Sequence, residues 1–372
     1  MRDSQTPMNR AEEVHLKLRR SGNSYAVTIP TVWVSEGGWN RGKVMRLRRY
    51  RPDSFVIDAP RSETSERFTL GAHDGDVHVF RELLGGFLQG HSDILLESDK
   101  KEGIPSRAVR EFARRTGSMV VVSEDPGRVE FRDLGSVEIP IEGRIERMHS
   151  IAVEMHSNLS SRWSDLPFTH SFHLASRDDE VDRLGWQVRR ALTRAGDHGD
   201  RFSAKEAIPL LLLSRTWERI ADLAVHIEEE QEKLAGSPPP SSYMVHINNL
   251  HERALEMLSR GPEVLRGHNV LSANEYIDQV SAFEAERSAL VLEAVRLTKS
   301  GKMAGECLPS VSVVLDALVR VARHLADVGE LVMDTPAGVF SHPQQRSMNE
   351  SEERKSPLPR KESRSASKRN SA

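Results

Sequence analysis

The sequence predicts a multidomain, mainly α protein: a small β-hairpin module, an α/β connector, then two three-helix bundles. Three observations predict this. Residues 14–61 carry short runs of alternating apolar residues separated by turn signals. Residues 62–136 mix strand-like and helix-like runs. Residues 137–335 repeat apolar side chains at three- and four-residue spacing, interrupted often enough to leave six helical segments. At 372 residues and 38% hydrophobic content the chain is long enough to build more than one core.

In the first module, Val14, Leu16 and Leu18 alternate with His15, Lys17 and Arg19, the period of a half-buried strand. Gly22-Asn23 marks a turn, and Ala26–Ile29 reads as a second strand. Pro30 suits the first position of a short helix that Gly37-Gly38 closes. Val44–Arg48 and Ser54–Ile57 read as a hairpin pair. Such strands bury too little surface to stand alone, so a homodimer is expected.

The connector is expected to hold helices at Val77–Leu88 and Ser106–Arg115 and a strand at Asp93–Leu96. Met119–Val122 should pair with Val129–Arg132 across Asp125-Pro126-Gly127. No chemistry is legible there, and its expected role is spacer or interface. The six helical segments fall near 138–160, 176–196, 205–234, 242–260, 273–300 and 308–333, which divides the region into 137–236 and 241–335. Residues 1–13 and the Ser-, Pro-, Lys- and Arg-rich residues 341–372 are expected to be disordered.

The first module concentrates positive charge. Lys17, Arg19, Arg20, Arg41, Lys43, Arg46, Arg48, Arg49 and Arg51 stand in a window whose only acid is Glu36, within a chain of net charge −3. A phosphate backbone is bound by such a face, because neutralising it releases counterions. The plainer reading is a solvated face that balances acidic helices. Leu16–Pro30 with Trp33-Val34 and Gly38-Trp39 closely resembles the AbrB/SpoVT/MazE swapped-hairpin family. That resemblance implies a small barrel interleaved from two chains. It also implies DNA contacts at the matching Lys17, Arg19, Arg20 and Asn23, with Arg46 a further basic candidate.

The helical region contains an internal repeat. Trp217–Asp222 parallels Ala322–Asp327, Glu180–Arg183 parallels Glu284–Arg287, and Ile145–His149 parallels Ile247–His251, at offsets of 102 to 105 residues. In the first copy Asp178 and Asp182, and likewise Glu218 and Asp222, lie four apart, which stacks each pair on one helix face. Facing helices would gather four carboxylates that repel unless a cation lies between them, and oxygen ligands suit Fe, Mn, Mg or Zn. The alternative is a solvated face pairing with Arg183 or Arg219. In the second copy Asp178 becomes Ala282 and Glu218 becomes Arg323, while Glu286 and Asp327 stay acidic. An ion pair of Arg323 with Glu286 or Asp327 is therefore expected in place of a metal.

Glu218–Asp222 followed by His226-Ile227, with Asp178–Asp182 and Leu184, resembles the PhoU family. The resemblance implies stacked three-helix bundles with metal at Asp178, Asp182, Glu218 and Asp222, and control of phosphate transport rather than catalysis. From residue 14 to residue 335 the order of parts resembles archaeal-type phosphate uptake regulators.

Little else carries chemistry. Cys307 is the single cysteine, so no disulfide or thiolate zinc site forms within one chain and a reducing cytoplasmic setting is expected. The N-terminus lacks a signal-peptide core and no run reaches the roughly 20 apolar residues of a membrane span, so any membrane association is expected to be peripheral. Ser203, Ser214 and Thr216 have no placed base, and Gly85-Gly86 with Gly90 is no dinucleotide fingerprint. His149, His226 and His251 are more often packing residues than ligands. The expected function is a DNA-binding regulator of phosphate uptake, not an enzyme, with DNA, a second copy of the chain and phosphate ABC transporter components as partners. The rivals are a cytoplasmic adaptor restraining a phosphate permease and, further off, a metal-dependent phosphohydrolase using the acid cluster.

Overall fold

The computed structural model describes residues 15–51, 54–58, 67–72, 75–99, 103–135, 140–164, 172–198, 202–336 and 338–340. The expectations for residues 1–13 and 341–372 lie outside them. The chain divides into two compact units, Met1–Thr64 and Ser65–Ala372.

In the first unit β1 (Arg19–Ser21) and β2 (Ser24–Ala26) pair antiparallel, with Ser21 opposite Ser24. Gly22 takes a φ of +61°, the left-handed backbone that a two-residue hairpin loop needs at its first position. These strands are shorter than the periodicity suggests, and residues 15–18 are irregular. Helix α1 (Thr31–Glu36) follows Pro30, whose fixed φ suits the entry to a helix. Strands β3 (Arg46–Arg51) and β4 (Ser54–Asp58) form a second antiparallel pair. The half-buried strand expected over Val14–Leu18 is absent from its described residues. Leu18 is 68% exposed, and Tyr25, Val44, Leu47 and Phe55 are also open. Three-stranded or larger sheets are needed to bury one face, and the described residues of this unit supply only two-stranded ones.

The second unit opens with a four-stranded sheet of order β5-β6-β8-β7, built from β5 (Phe68–Gly71), β6 (Asp93–Glu97), β7 (Met119–Asp125) and β8 (Arg128–Asp133). β5 runs parallel to β6, and the other pairs are antiparallel. Helices α2 (Asp76–Leu88) and α3 (Ser106–Thr116) lie against it around a core of Val79, Leu83, Phe87, Ile94, Leu96, Phe112 and Phe131. β5 is the one element of this sheet that the sequence reading does not contain.

Six long helices follow: α4 (Ile141–Arg162), α5 (Ala175–His198), α6 (Ala204–Ala235), α7 (Ser241–Gly267), α8 (Val270–Lys299) and α9 (Cys307–Asp334). α4–α6 and α7–α9 each form a three-helix group, and the groups share one core through α6 against α9 and α4 against α7. The Glu206 carboxylate accepts from the Ser203 N–H at 2.8 Å and the Ser203 hydroxyl at 2.7 Å, closing a capping box at the start of α6. The Asn269 side chain caps α8.

One expected break is narrower than the sequence suggests, falling at His268-Asn269. Gly261-Pro262 reads as the end of a helix, yet α7 continues to Gly267. Pro262 has no N–H to give the carbonyl of Leu258, four residues back. His149 of α4 fills that role, its Nε2–H donating to the Leu258 oxygen at 2.8 Å. Burial holds the His149 pKa below its usual value, consistent with a neutral ring. The same ring stands edge-on to Trp217, which packs against Gly261.

A buried histidine pair joins the two groups. His156 Nε2 lies 3.0 Å from the Ile220 carbonyl, so it carries the proton and leaves Nδ1 as acceptor for His251 Nε2–H at 3.1 Å. Trp163 Nε1–H completes the chain by donating to His251 Nδ1 at 3.1 Å. Burial lowers both ring pKa values, that of His156 to about 4. The chain is satisfied only with both rings neutral. His251 is therefore a packing residue.

Candidate metal centre

Helices α5 and α6 lie side by side within the first three-helix group and carry all four candidate carboxylates. Gly185, on the same helix as Asp178 and Asp182, leaves room for the ends of the Glu218 and Met148 side chains. A Cβ added to it would lie 3.3 Å from Glu218 Oε2 and 3.4 Å from the Met148 methyl carbon.

The electrostatics report mutual proximity. Burial first, then the carboxylates of Asp222 and Asp182, pushes the Asp178 pKa up to about 7. Burial also raises Asp182, against the pull of Arg115. Glu218 is raised by burial, opposed by Arg215 and reinforced by Asp182. Asp222, the most open of the four, is raised by desolvation against nearby His226. Each group therefore resists ionising, chiefly because burial strips water from its charged form, and for Asp178, Asp182 and Glu218 neighbouring carboxylates add to this.

Two of the four carboxylates are held by guanidinium groups. Arg115 of α3 binds Asp182 Oδ2 at 2.6 Å and Asp179 Oδ1 at 2.8 Å, while Arg215 binds Glu218 at 2.5 Å. Arg115 also lies over the Trp186 ring, 4.8 Å from its centre. Asp178 Oδ1 is buried with no hydrogen-bond partner. Among the described residues no three Asp, Glu, His or Cys side chains stand together at metal-coordinating positions. An orphaned buried carboxylate oxygen amid raised acids nonetheless has the chemistry of a ligand for a hard or borderline cation. His226 is 60% exposed and pairs with Glu229 at 3.7 Å, away from such a role.

The second copy corrects an expectation. Arg323 pairs with Glu284 at 2.6 Å, not with Glu286 or Asp327. Glu286 binds Arg253 of α7, and Asp327 lies 3.2 Å from His324. Residues two apart on a helix face different neighbours, so Glu284 meets α9 while Glu286 meets α7.

Arg115 and Arg190 are the site's unforeseen neighbours. Arg190 of α5 is buried, donates to the carbonyls of Phe87 and His91, and pairs with Asp133 at 2.7 Å. The connector is thus docked on the helix that bears Asp178 and Asp182. Nothing in the spacing of α3 signals this; the arginines paired with Asp182 and Glu218 are Arg115 and Arg215, where the sequence had offered Arg183 and Arg219. The Cys307 thiol is buried and donates to the Ser237 carbonyl, a structural contact.

The DNA candidates sit in the first unit. Arg19 and Arg20 are on β1, opposite Ala26 and Tyr25, and project to opposite faces of the hairpin. Lys17 precedes that strand, Asn23 is in its loop, and Arg46 begins β3. All five are exposed, and the Arg20 Nε–H donates to the Gly22 carbonyl.

Residues 145–230 match the PhoU domain. The match runs from the first turns of α4 through α5 into α6 and contains all four carboxylates. The crystal structure of PhoU from Pseudomonas aeruginosa is similar at 17% identity and a TM-score of 0.39, over 52% of this chain and 90% of that one. No curated protein matches this chain. No described helix is long and apolar enough to cross a membrane.

Proposed function

We propose that this chain is a DNA-binding regulator of phosphate uptake whose PhoU domain responds to phosphate status through a metal ion. The single observation that carries the reading is the PhoU match over residues 145–230, because those helices also hold the clustered acids. Asp178, Asp182, Glu218 and Asp222 hold the ion. A bound Fe, Zn, Mn or Mg ion supplies the positive charge that lets all four ionise together. Asp178 offers its unpartnered oxygen, Asp222 stands open to solvent, and Arg115 and Arg215 guard the other two.

The first unit supports the DNA part of the proposal. Lys17, Arg19, Arg20, Arg41, Lys43 and Arg46 are exposed, and the unit also leaves apolar side chains uncovered in one copy, which favours a homodimer presenting two basic faces to a duplex. Phosphate ABC transporter components are the proposed partners of the helical part.

Phosphate uptake in cells tests the reading. Cells lacking the protein should lose the fall in labelled-phosphate uptake that follows phosphate repletion, and the wild-type gene should restore it. Unchanged uptake in the deletion would reject phosphate regulation. Arg19→Glu with Arg20→Glu should abolish restoration in a still-dimeric protein. Full restoration by that variant would favour the adaptor that acts on a permease without touching DNA.

A further inference from the structure

We infer that Arg115 is the tethered cation of the acid cluster, and that a divalent ion taken up there displaces it from Asp182 and loosens helix α3 from α5. The inference rests on the proposed metal site and goes beyond it, by making the connector a reporter of metal occupancy.

Charge and packing carry the argument. Asp182 and Arg115 are each about four-fifths buried at the side chain and meet at 2.6 Å, a short charge-assisted hydrogen bond. The guanidinium lies against Trp186, one turn after Asp182 on α5, and within 5.7 Å of the Phe80 ring centre on α2. It therefore occupies the position of a cation in a site that otherwise gathers carboxylates. A divalent ion bound by Asp182 would meet this fixed positive charge at close range in a poorly solvated setting, where repulsion is strong. Arg115 then keeps only Asp179, which is 40% exposed, and exposed pairs contribute little.

The connector does not leave as a whole. At the α3 end the exposed Arg114 also reaches Asp179, at 3.4 Å, and Phe80 packs on Trp186. The firmer hold is Arg190, which is buried and bound to the Phe87 and His91 carbonyls and to Asp133, with Arg194 3.4 Å from the same carboxylate. That contact is two turns further along α5 and touches none of the four acids. One end is thus fixed and the other is held by a residue in direct competition with the ion. By reciprocity, whatever favours the Arg115 contact weakens ion binding, and the ion weakens the contact by the same factor.

Calorimetry with Mn²⁺ and hydrogen exchange, both on the full-length protein, test this. Arg115→Gln should bind Mn²⁺ more tightly than wild type, by about 5-fold or more, and Arg115→Lys, which keeps the charge, should return toward wild type. In the wild type, with no substitution needed, Mn²⁺ should speed exchange over Ser106–Thr116 and leave Val79–Phe87 unchanged. Equal or weaker binding by a folded Arg115→Gln variant, or Mn²⁺ slowing exchange in α3, would overturn the inference while sparing the metal site. Absence of Mn²⁺ binding by both proteins would reject the metal site and the inference together.

Discussion

Asp178 and Gly185 show how single residues set the character of the acid cluster. The folded chain raises the Asp178 pKa from 3.8 to about 7. Between those values the native state binds a proton that the unfolded chain releases, so metal-free stability falls as pH rises from about 4 to about 7. Asp178→Asn removes that penalty. It should stabilise the metal-free protein at pH 8 by on the order of 2 kcal/mol and have no such effect near pH 4. Equal gains at both pH values in thermal unfolding would contradict the electrostatic account. Gly185→Ala separates site geometry from folding. Alanine favours the helix by about 1 kcal/mol over glycine, but its Cβ would crowd Glu218 Oε2 at 3.3 Å. Thermal stability should hold while Mn²⁺ affinity, read by calorimetry, drops roughly tenfold, or ~1.4 kcal/mol. The i,i+4 acid pairs were legible in the sequence because helical spacing places them. Arg115 was not, because its partner Asp182 is 67 residues away and belongs to another element.

At the scale of elements, the chain satisfies its own ends at several helix starts. Ser203 with Glu206, and Asn269, cap α6 and α8, signals that the sequence reading did not use when it began these helices near 205 and 273. Pro30, by contrast, marked α1. The failure at Pro262 has a specific cause: the carbonyl freed by proline is bound by a histidine 109 residues earlier. Local rules cannot see that rescue. His149→Ala should leave the Leu258 carbonyl buried and unpaired and cost about 1–3 kcal/mol in chemical denaturation. A loss below about 0.5 kcal/mol would mean that α7 carries its proline unaided. β5 escaped notice because Phe68–Gly71 offers only two apolar side chains, Phe68 and Leu70, before glycine ends the alternation.

At the scale of the whole molecule, the two units differ in how complete they are. The helical unit buries Trp163, Trp217, Tyr243 and Phe283 almost entirely. In the first unit Leu47 and Phe55 remain 65% and 61% exposed. The proposed homodimer would cover that apolar surface. Leu47→Asp with Phe55→Asp should convert a dimer to a monomer in light scattering, and a persistent dimer would place the contact elsewhere. The central claim is that this first unit reads DNA on behalf of a phosphate-responsive helical domain. Fluorescence anisotropy of the full-length protein on its own upstream duplex and on a scrambled duplex, across a salt series, tests it most directly. The account predicts preferential binding to the upstream duplex, weakened by salt and lost with Arg19→Glu and Arg20→Glu. Equal affinity for both duplexes, or binding that survives those charge reversals, would contradict it.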